Sequence, residues 1–408
     1  MKIVWLGCMW GSLLLAGNQS ESNINSRYIV ESVEISGHND GKLSSFLRSD
    51  MNRMIGEKVD PESIDNLARR IRKELHVSTV NHRLLRGEEA EHVKVVFDVK
   101  GHRQDLDVTI PKLAFNSKSG WSGSAQVGTS VASNSFAFGV VSDNDTLPER
   151  YTGITARYEN RKLGTDRVHF TFGFASYHDQ WDRTTVETAA LDQGPGLYRT
   201  RQDFEPAVTV VLAKPLTLTV GAGFQRFETQ DSLTRFQGSN AAVATLRFHH
   251  QVEDSDANKH DVDASYSLRA ATRLLDSDYA YVRHLAQARY VYKRGRHELS
   301  DEVMAGVITG EAPLFERFVL GNSSTLRGWN RFDIDPVGGD RVAHNTVDYR
   351  YRWFQTFWDT GAIWSRGEAG IVRHSLGAGI REGIFFVAVA FPVRSVKVEP
   401  IFMVGMNY

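Results

Sequence analysis

A short segment in the last third of the sequence combines residue types that could hold a buried ion pair. Leu326-Arg327-Gly328-Trp329 lies in a stretch predicted to be a loop, and Asp348 and Asp359 follow on two predicted strands. The guanidinium group of arginine stays charged and can bind carboxylates through two parallel hydrogen bonds. Because side chains alternate between the two faces of a strand, both aspartates can face inward, where a folded loop would lie. Gly328 would allow a tight reversal and Trp329 would anchor it. The alternative is an exposed loop arginine with two unrelated aspartates.

Motifs for catalysis or metal binding are absent from the sequence. There is no G-x-S-x-G nucleophile motif, no H-E-x-x-H zinc motif and no phosphate-binding P-loop. The one adjacent histidine pair, His249-His250, falls on a predicted strand, where neighbours face opposite sides. We therefore expect no enzyme activity, no metal and no cofactor. The net charge of -1 gives no support for nucleic-acid binding.

The N-terminus has the features of a secretory signal peptide. Lys2 precedes an apolar run from Ile3 to Ala16, and small and polar residues follow. We predict a signal peptide over residues 1–22. Lipidation at Cys8 and a buried N-terminal helix are the alternatives. Cys8 is the one cysteine of the chain, so a processed protein would have neither a disulfide nor a thiolate metal site.

Residues 27–101 mix helix and strand signals. The pattern predicts a strand up to Ser36, two helices, and then two strands, in the order β-α-α-β-β. The second helix has Asp60 as its N-cap and Pro61 at its first position. Its apolar stripe consists of Ile64, Leu67, Ile71 and Leu75. A unit of this size is a plausible small α+β domain.

Residues 102–408 show strand signals of period two. Val168, Phe170 and Phe172, for example, alternate with His169 and Thr171. The strands are about ten residues long, which suits a tilted crossing of a bilayer. Aromatic residues cluster near strand ends, as in the girdles of membrane barrels. We predict an all-β transmembrane barrel of about 16 antiparallel strands. A soluble β-sandwich would show the same alternation and is the rival fold.

The last residues form a predicted strand with one apolar face. Phe402, Val404, Met406 and Tyr408 share that face. A terminal aromatic residue on such a strand is a type of signal that barrel-assembly machines bind by strand addition. We therefore predict that these residues act as a C-terminal strand signal.

The loop segment and the two aspartates resemble the outer-membrane protein assembly-factor superfamily. This family, also called bacterial surface antigens, includes BamA-like insertases and two-partner secretion transporters. It has an R-G-aromatic motif in the sixth extracellular loop, which Arg327-Gly328-Trp329 matches, and acidic wall residues that bind the loop arginine, which Asp348 and Asp359 match. Residues 27–101 resemble a single polypeptide-transport-associated (POTRA) domain. BamA-type insertases usually have several such domains and the secretion transporters two, so the subclass stays open.

The resemblance implies a barrel that inserts or translocates polypeptides in the outer membrane of a Gram-negative bacterium. Its expected partners are unfolded outer-membrane or secreted polypeptides, outer-membrane lipid and periplasmic accessory proteins, with no nucleic acid. The N-terminal domain would lie in the periplasm and bind a client strand by β-augmentation. The first and last barrel strands would form a weak seam. The alternative from another class is a passive outer-membrane channel or surface antigen.

Overall fold

The computed structural model describes residues 27–36, 43–75, 77–102, 106–143, 145–191, 196–230, 236–253, 258–393 and 399–407. The predicted signal peptide, residues 1–22, and Tyr408 of the predicted C-terminal signal lie outside these ranges. The chain divides into two compact units between Arg103 and Gln104. None of the described helices is both long and apolar enough to cross a membrane.

The described residues of the N-terminal unit form two helices and a three-stranded sheet. Its elements in chain order are β1 (Ile29–Ser36), α1 (Ser45–Met54), α2 (Pro61–Leu75), β2 (Val77–Arg86) and β3 (His92–His102). The sheet order is β1-β3-β2, with β1 parallel and β2 antiparallel to the central strand β3. The predicted element order is therefore the observed one.

Local capping and one apolar stripe explain the helices of this unit. The Ser44 side chain accepts a hydrogen bond from Leu47 N at 3.2 Å, and the Asp60 carboxylate accepts bonds from the first turn of α2. The predicted stripe of α2 is buried and packs against Val95 and Phe97 of the central strand in one apolar core. Burial of the stripe is thus confirmed, and it joins helix to sheet.

The C-terminal unit is a closed antiparallel barrel. Its strands are β4 (Leu106–Asn116), β5 (Gly120–Val131), β6 (Asn134–Ser142), β7 (Arg150–Asn160), β8 (Val168–Gln180), β9 (Tyr198–Ala213), β10 (Leu216–Thr229), β11 (Phe236–Gly238), β12 (Ala241–Glu253), β13 (Asn258–Ala271), β14 (Ala280–Arg294), β15 (His297–Glu311), β16 (Arg341–Tyr351), β17 (Phe354–Trp364), β18 (Arg373–Glu382), β19 (Phe385–Pro392) and β20 (Ile401–Asn407). The short strand β11 and the strand β12 pair with successive parts of β10 and fill one position. The described residues therefore form 16 strand positions, and β20 pairs with β4 to close the ring. This confirms the predicted barrel and excludes the sandwich.

Side-chain alternation gives the barrel wall an apolar outer face. Phe385 and Val387 on β19 are 61% and 57% exposed, whereas Phe386 between them is 8% exposed. An exposed apolar residue at every second position is the pattern of a strand that faces lipid on one side. The opposite face lines the lumen and has most of the charged residues that the next subsection describes.

Two rims are distinguished by their connections. We call the end where Leu106 and Asn407 lie the terminal rim; most of its described turns are two residues long. We call the other end the loop rim; it includes the 29-residue connection 312–340 between β15 and β16. Within the described loop-rim connections lie two α-helices, α3 (Arg183–Leu191) and α4 (Arg331–Ile334). Both helices lie outside the wall of the barrel strands and leave the predicted all-β barrel unchanged.

Candidate functional site

The connection 312–340, which we call the inner loop, is folded into the lumen. Its apolar residues Leu314, Phe315, Phe318, Leu320 and Leu326 are each 5% exposed or less. They form one core with side chains from strands on several sides of the ring, among them β9, β10, β14, β16 and β17. A loop that packs against many strands of a closed ring must lie inside it. Burial of this apolar surface is the main force that holds the loop there.

Arg327 of the inner loop lies between two carboxylates of the barrel wall. Its Nη2 donates to Asp359 Oδ1 at 2.6 Å, and its Nη1 donates to Asp348 Oδ1 at 3.0 Å. The Arg327 main-chain N also donates to Asp359 Oδ2 at 2.9 Å. The guanidinium carbon lies 3.5 Å from the centre of the Phe357 ring. Main chain and side chain are therefore bound to the same wall residue, which fixes the loop in position and orientation.

Other wall residues complete the hydrogen bonding of the two aspartates. Thr346 Oγ1 and Ser375 Oγ each donate to Asp359 at 3.0 Å, and Gln355 Nε2 donates to Asp348 Oδ1 at 2.6 Å. Asp359 is fully buried, so these donors replace the water that the carboxylate lost. Thr346, Gln355 and Ser375 were not predicted, because nothing in a single strand shows which polar residue lies beside a distant carboxylate.

The tight backbone at the loop tip lies at a different residue from the predicted one. Leu326 has the left-handed conformation, with φ of 45°, and the φ of Gly328 lies outside that region. A Cβ on Gly328 would lie 2.7 Å from Phe391 C and 2.8 Å from Pro392 N. Glycine is needed at 328 because the loop approaches the wall closely. The expectation that Gly328 provides the reversal is therefore wrong in its physical reason.

Trp329 lies against the same part of the wall. Its Nε1 donates to the main-chain oxygen of His374 at 2.9 Å, and the Arg373 guanidinium lies 5.4 Å from its ring centre. Trp329 packs against the buried core of the inner loop. The structure therefore brings Arg327, Gly328, Trp329, Asp348 and Asp359 together at one face of the lumen.

A second ion pair, missed from the sequence, binds the inner loop to the connection between β6 and β7. Arg331 is 2% exposed, and its Nη2 donates to Asp143 Oδ2 at 3.0 Å. Two residues further along that connection, Asp145 accepts hydrogen bonds from Ser323 Oγ at 2.7 Å and Lys112 Nζ at 2.8 Å. Residues 143–150 mix charged residues with turn-forming residues, a pattern that predicts an ordinary exposed loop. Only the tertiary structure shows that these charges are buried.

A third contact involves the start of the inner loop. Glu316 pairs with Arg269 on β13 at 3.0 Å and lies 3.8 Å from Arg283 on β14. Arg283 Nε also donates to the main-chain oxygen of Glu316 at 2.9 Å. The inner loop is thus held by charge at three separate places around the ring.

The C-terminal strand has the predicted alternation over its described part. Phe402 and Val404 are 57% and 44% exposed, whereas Ile401 and Met403 are 2% exposed. Among the described residues there is no group of three or more histidine, cysteine, aspartate or glutamate side chains that could hold a metal ion.

A closed 16-strand barrel with a charged loop folded into its lumen defines a class of outer-membrane β-barrel protein. A family model described as the Omp85 superfamily domain matches residues 117–381. The chain belongs to the Omp85 superfamily, which confirms the family resemblance seen in the sequence. No curated protein matches the chain by sequence.

Solved structures of similar fold agree with this assignment. BamA from Haemophilus ducreyi lacking POTRA domains 1–3 is similar with a TM-score of 0.62 and 13% identity, covering 94% of this chain and 85% of that one. CdiB from Escherichia coli has a TM-score of 0.52 and 11% identity, over 94% and 77% of the two chains. CdiB from Acinetobacter baumannii has a TM-score of 0.52 and 12% identity, over 94% and 74%. At these identities the likeness shows the fold.

Proposed function

We propose that this protein inserts polypeptides into the outer membrane or transports them across it, and that it is not an enzyme. The observation that carries the proposal is the inner loop, bound through Arg327 to Asp348 and Asp359 inside a closed barrel. A passive pore gains nothing from a lumen filled by a loop with this many buried charge contacts. An assembly factor needs a rigid wall beside a strand pair that can separate.

The barrel seam supports this proposal. Strands β20 and β4 pair over five residue positions, whereas β14 and β15 pair over fifteen. Leu106–Ile110 of β4 have no strand partner on the seam side within the described residues, and Val108 is 67% exposed. Pro111 removes one backbone donor from this edge. An unpaired strand edge beside lipid is a place where a client strand can add by main-chain hydrogen bonds.

The N-terminal unit supports a role in client binding. We infer that it is a POTRA-like domain in the periplasm and that it corresponds to the predicted domain at residues 27–101. Both β1 and β2 are edge strands of its sheet, and Leu84 and Leu85 on β2 are 37% and 43% exposed. An edge with exposed apolar side chains suits β-augmentation by an unfolded polypeptide. The terminal rim of the barrel would then face the periplasm.

The C-terminal strand and the lumenal contacts keep their predicted roles within this proposal. Phe402, Val404 and Met406 would present the strand signal by which the barrel is itself assembled. Arg327, Gly328 and Trp329 would lock the inner loop and so stabilise the wall formed by β16–β18. No cofactor is required, because folding of the client supplies the free energy.

A disulfide across the seam tests the proposal. Leu113 and Met406 are register partners across β4 and β20, and Val387 and Val404 are register partners across β19 and β20. Leu113→Cys with Met406→Cys would close the seam, and Val387→Cys with Val404→Cys is the matched control beside it. In oxidised cells the seam pair should deplete client proteins from the outer membrane, and reductant should restore them.

The outer-membrane protein inventory reads out this experiment. Broad loss of barrels would identify an insertase, and loss of one secreted protein would identify a dedicated transporter. An unchanged inventory with the seam disulfide formed would contradict the proposal and favour the passive channel or surface antigen. Equal depletion by the control pair would show that the effect is not specific to the seam.

A further inference from the structure

Three exposed arginines form a patch at the terminal rim, on two neighbouring hairpin turns. Arg294 is the last residue of β14, Arg296 lies in the turn between β14 and β15, and Arg352 lies in the turn between β16 and β17. The two turns touch, since the main-chain N of Arg352 donates to the main-chain oxygen of Arg296 at 3.0 Å. We call Arg294, Arg296 and Arg352 the rim arginines.

Glu298 is the acidic residue at this end of the two hairpins, and its carboxylate is already paired on the lumen side. Glu298 accepts a hydrogen bond from Arg350 Nη2 at 2.6 Å and lies 2.8 Å from Lys293 Nζ. Among the described residues, no ion pair joins a rim arginine to a carboxylate. The two touching turns therefore bring three positive charges to one part of the rim, which suits an anionic ligand.

Aromatic residues adjoin the rim arginines on the outer face of the wall. Tyr290, Tyr349, Tyr351 and Trp353 are between 39% and 53% exposed. The phenol oxygens of Tyr290 and Tyr349 lie 2.8 and 2.7 Å from ring nitrogens of His260 and His297. Tyrosine and tryptophan with one apolar side and one polar end collect at the boundary between acyl chains and headgroups. The rim arginines therefore lie at the depth of lipid phosphates.

We propose that the rim arginines bind the phosphate of an anionic phospholipid in the membrane leaflet at the terminal rim. Guanidinium groups match the geometry of phosphate oxygens, and each exposed basic residue near an anionic membrane surface adds to binding. A phospholipid is favoured over an acidic polypeptide because the aromatic residues beside the patch face acyl chains. This inference rests on the proposed membrane location, which the experiment below scores separately.

Native mass spectrometry of the full chain in a neutral detergent tests the site. The protein is titrated with dioleoylphosphatidylglycerol and, in a second arm, with dioleoylphosphatidylcholine. A third arm uses inorganic phosphate and a fourth uses an oligoglutamate peptide. We expect phosphatidylglycerol to bind more tightly than phosphatidylcholine, and inorganic phosphate to compete only weakly because it has no acyl chains to contact the aromatic residues.

The test variant is Arg294→Gln/Arg296→Gln/Arg352→Gln. Its matched control is Arg183→Gln/Arg273→Gln/Arg366→Gln, which makes the same change of charge at exposed positions of the loop rim. From the usual contribution of a basic residue near an anionic surface, the test variant should lose roughly tenfold to a hundredfold in affinity for phosphatidylglycerol. The control variant should retain that affinity.

Four results would overturn the inference. They are equal binding of the two lipids, unchanged phosphatidylglycerol affinity in the test variant, an equal loss in the control variant, and a loss confined to the oligoglutamate peptide. The last result would assign the patch to acidic polypeptides. Insertion into phosphatidylcholine vesicles is measured in parallel. A chain that fails to enter any vesicle would contradict the proposed function, whereas one that enters without lipid preference would contradict only this inference.

Discussion

Removal of the negative charge from Asp359 should increase the fraction of molecules in which the inner loop has left the lumen. Asp359 accepts hydrogen bonds from the main chain and the guanidinium group of Arg327, and also from Thr346 and Ser375. In Asp359→Asn the new amide group would place an NH2 against donors that need an acceptor. The Ser375 hydroxyl can rotate away, but the guanidinium group and the main-chain N–H of Arg327 cannot become acceptors.

The size of the effect follows from the burial of the pair. Asp359 is fully buried and the Arg327 side chain is 10% exposed. Removal of one partner from a buried ion pair costs about 3–5 kcal/mol, because the other charge stays out of water. Asp348 remains beside Arg327 and accepts part of its hydrogen bonding, which favours the lower end of this range. A change of 3 kcal/mol corresponds to a rise of roughly a hundredfold in the equilibrium constant for loop opening.

Limited trypsin digestion of the protein in lipid vesicles measures this opening. The inner loop contains Arg317, Arg327 and Arg331, which trypsin can cut only when the loop leaves the lumen. When the loop reseats faster than it is cut, the initial cleavage rate follows the population of the open form. Cleavage in Asp359→Asn should therefore be faster by roughly two orders of magnitude.

Asp263→Asn is the matched control. Asp263 lies on β13 and pairs with Arg247, but the Arg247 side chain is 59% exposed, so loss of this pair should cost at most about 1 kcal/mol. Arg327→Gln and the double variant complete a cycle, read at the Arg331 site. The two changes should be far from additive because the residues touch. A less than threefold rise in cleavage, additive effects, or an equal rise in Asp263→Asn would refute the reasoning.

Three further predictions concern the same loop and its neighbours. Gly328→Ala should destabilise the folded position of the inner loop by about 1–3 kcal/mol, because its Cβ would overlap the wall backbone. Its sensitivity to trypsin should therefore rise. The control Gly196→Ala should leave trypsin sensitivity unchanged, because a Cβ there meets no atom within 4 Å. Arg331→Gln should destabilise the folded barrel by about 3 kcal/mol, since it leaves Asp143 buried without this partner; an unchanged urea midpoint in vesicles would contradict this. Burial raises the pKa of Glu149 above its usual 4.5, although the charge of Arg201 opposes the shift. The folded chain then holds this proton more tightly than the unfolded chain, so its contribution to stability declines as pH rises from about 4.5 through the raised pKa. Glu149→Gln should flatten the pH profile of the urea midpoint above pH 4.5, and a profile that keeps its slope would disprove the assignment.

Much of the fold follows from local patterns. Alternation along β8 or β13 predicts a strand with one apolar face. In lipid, the backbone N–H and C=O groups of such strands find hydrogen-bond partners when the sheet closes into a ring. Asp60 and Pro61 start α2 for reasons that act within one turn. The short helices α3 and α4 escaped prediction because their residues have no helical apolar stripe, and their positions depend on contacts with distant loops.

Some of the lumenal contacts could likewise be predicted from the sequence, and others needed the structure. The contacts of Arg327 with Asp348 and Asp359 could be proposed because the family motif indicates them and strand alternation allows both aspartates to face inward. Arg331 with Asp143 could not, because the two residues are far apart in sequence and neither belongs to a periodic pattern. The reason for glycine at 328 also needed the structure, since the close contact is made by the backbone of Phe391 and Pro392 from another hairpin.

The sequence by itself determined that the C-terminal part is a barrel of about 16 strands with one apolar face, because these features depend on a period of two residues and on chain length. The tertiary structure alone decided that Arg331 meets Asp143 and that Glu316 meets Arg269 inside the lumen, and where charges remain exposed at the rim. Coulomb and hydrogen-bond interactions depend on distances of a few ångströms between strands far apart in the chain. Such distances exist only once the ring has closed and the inner loop has filled it.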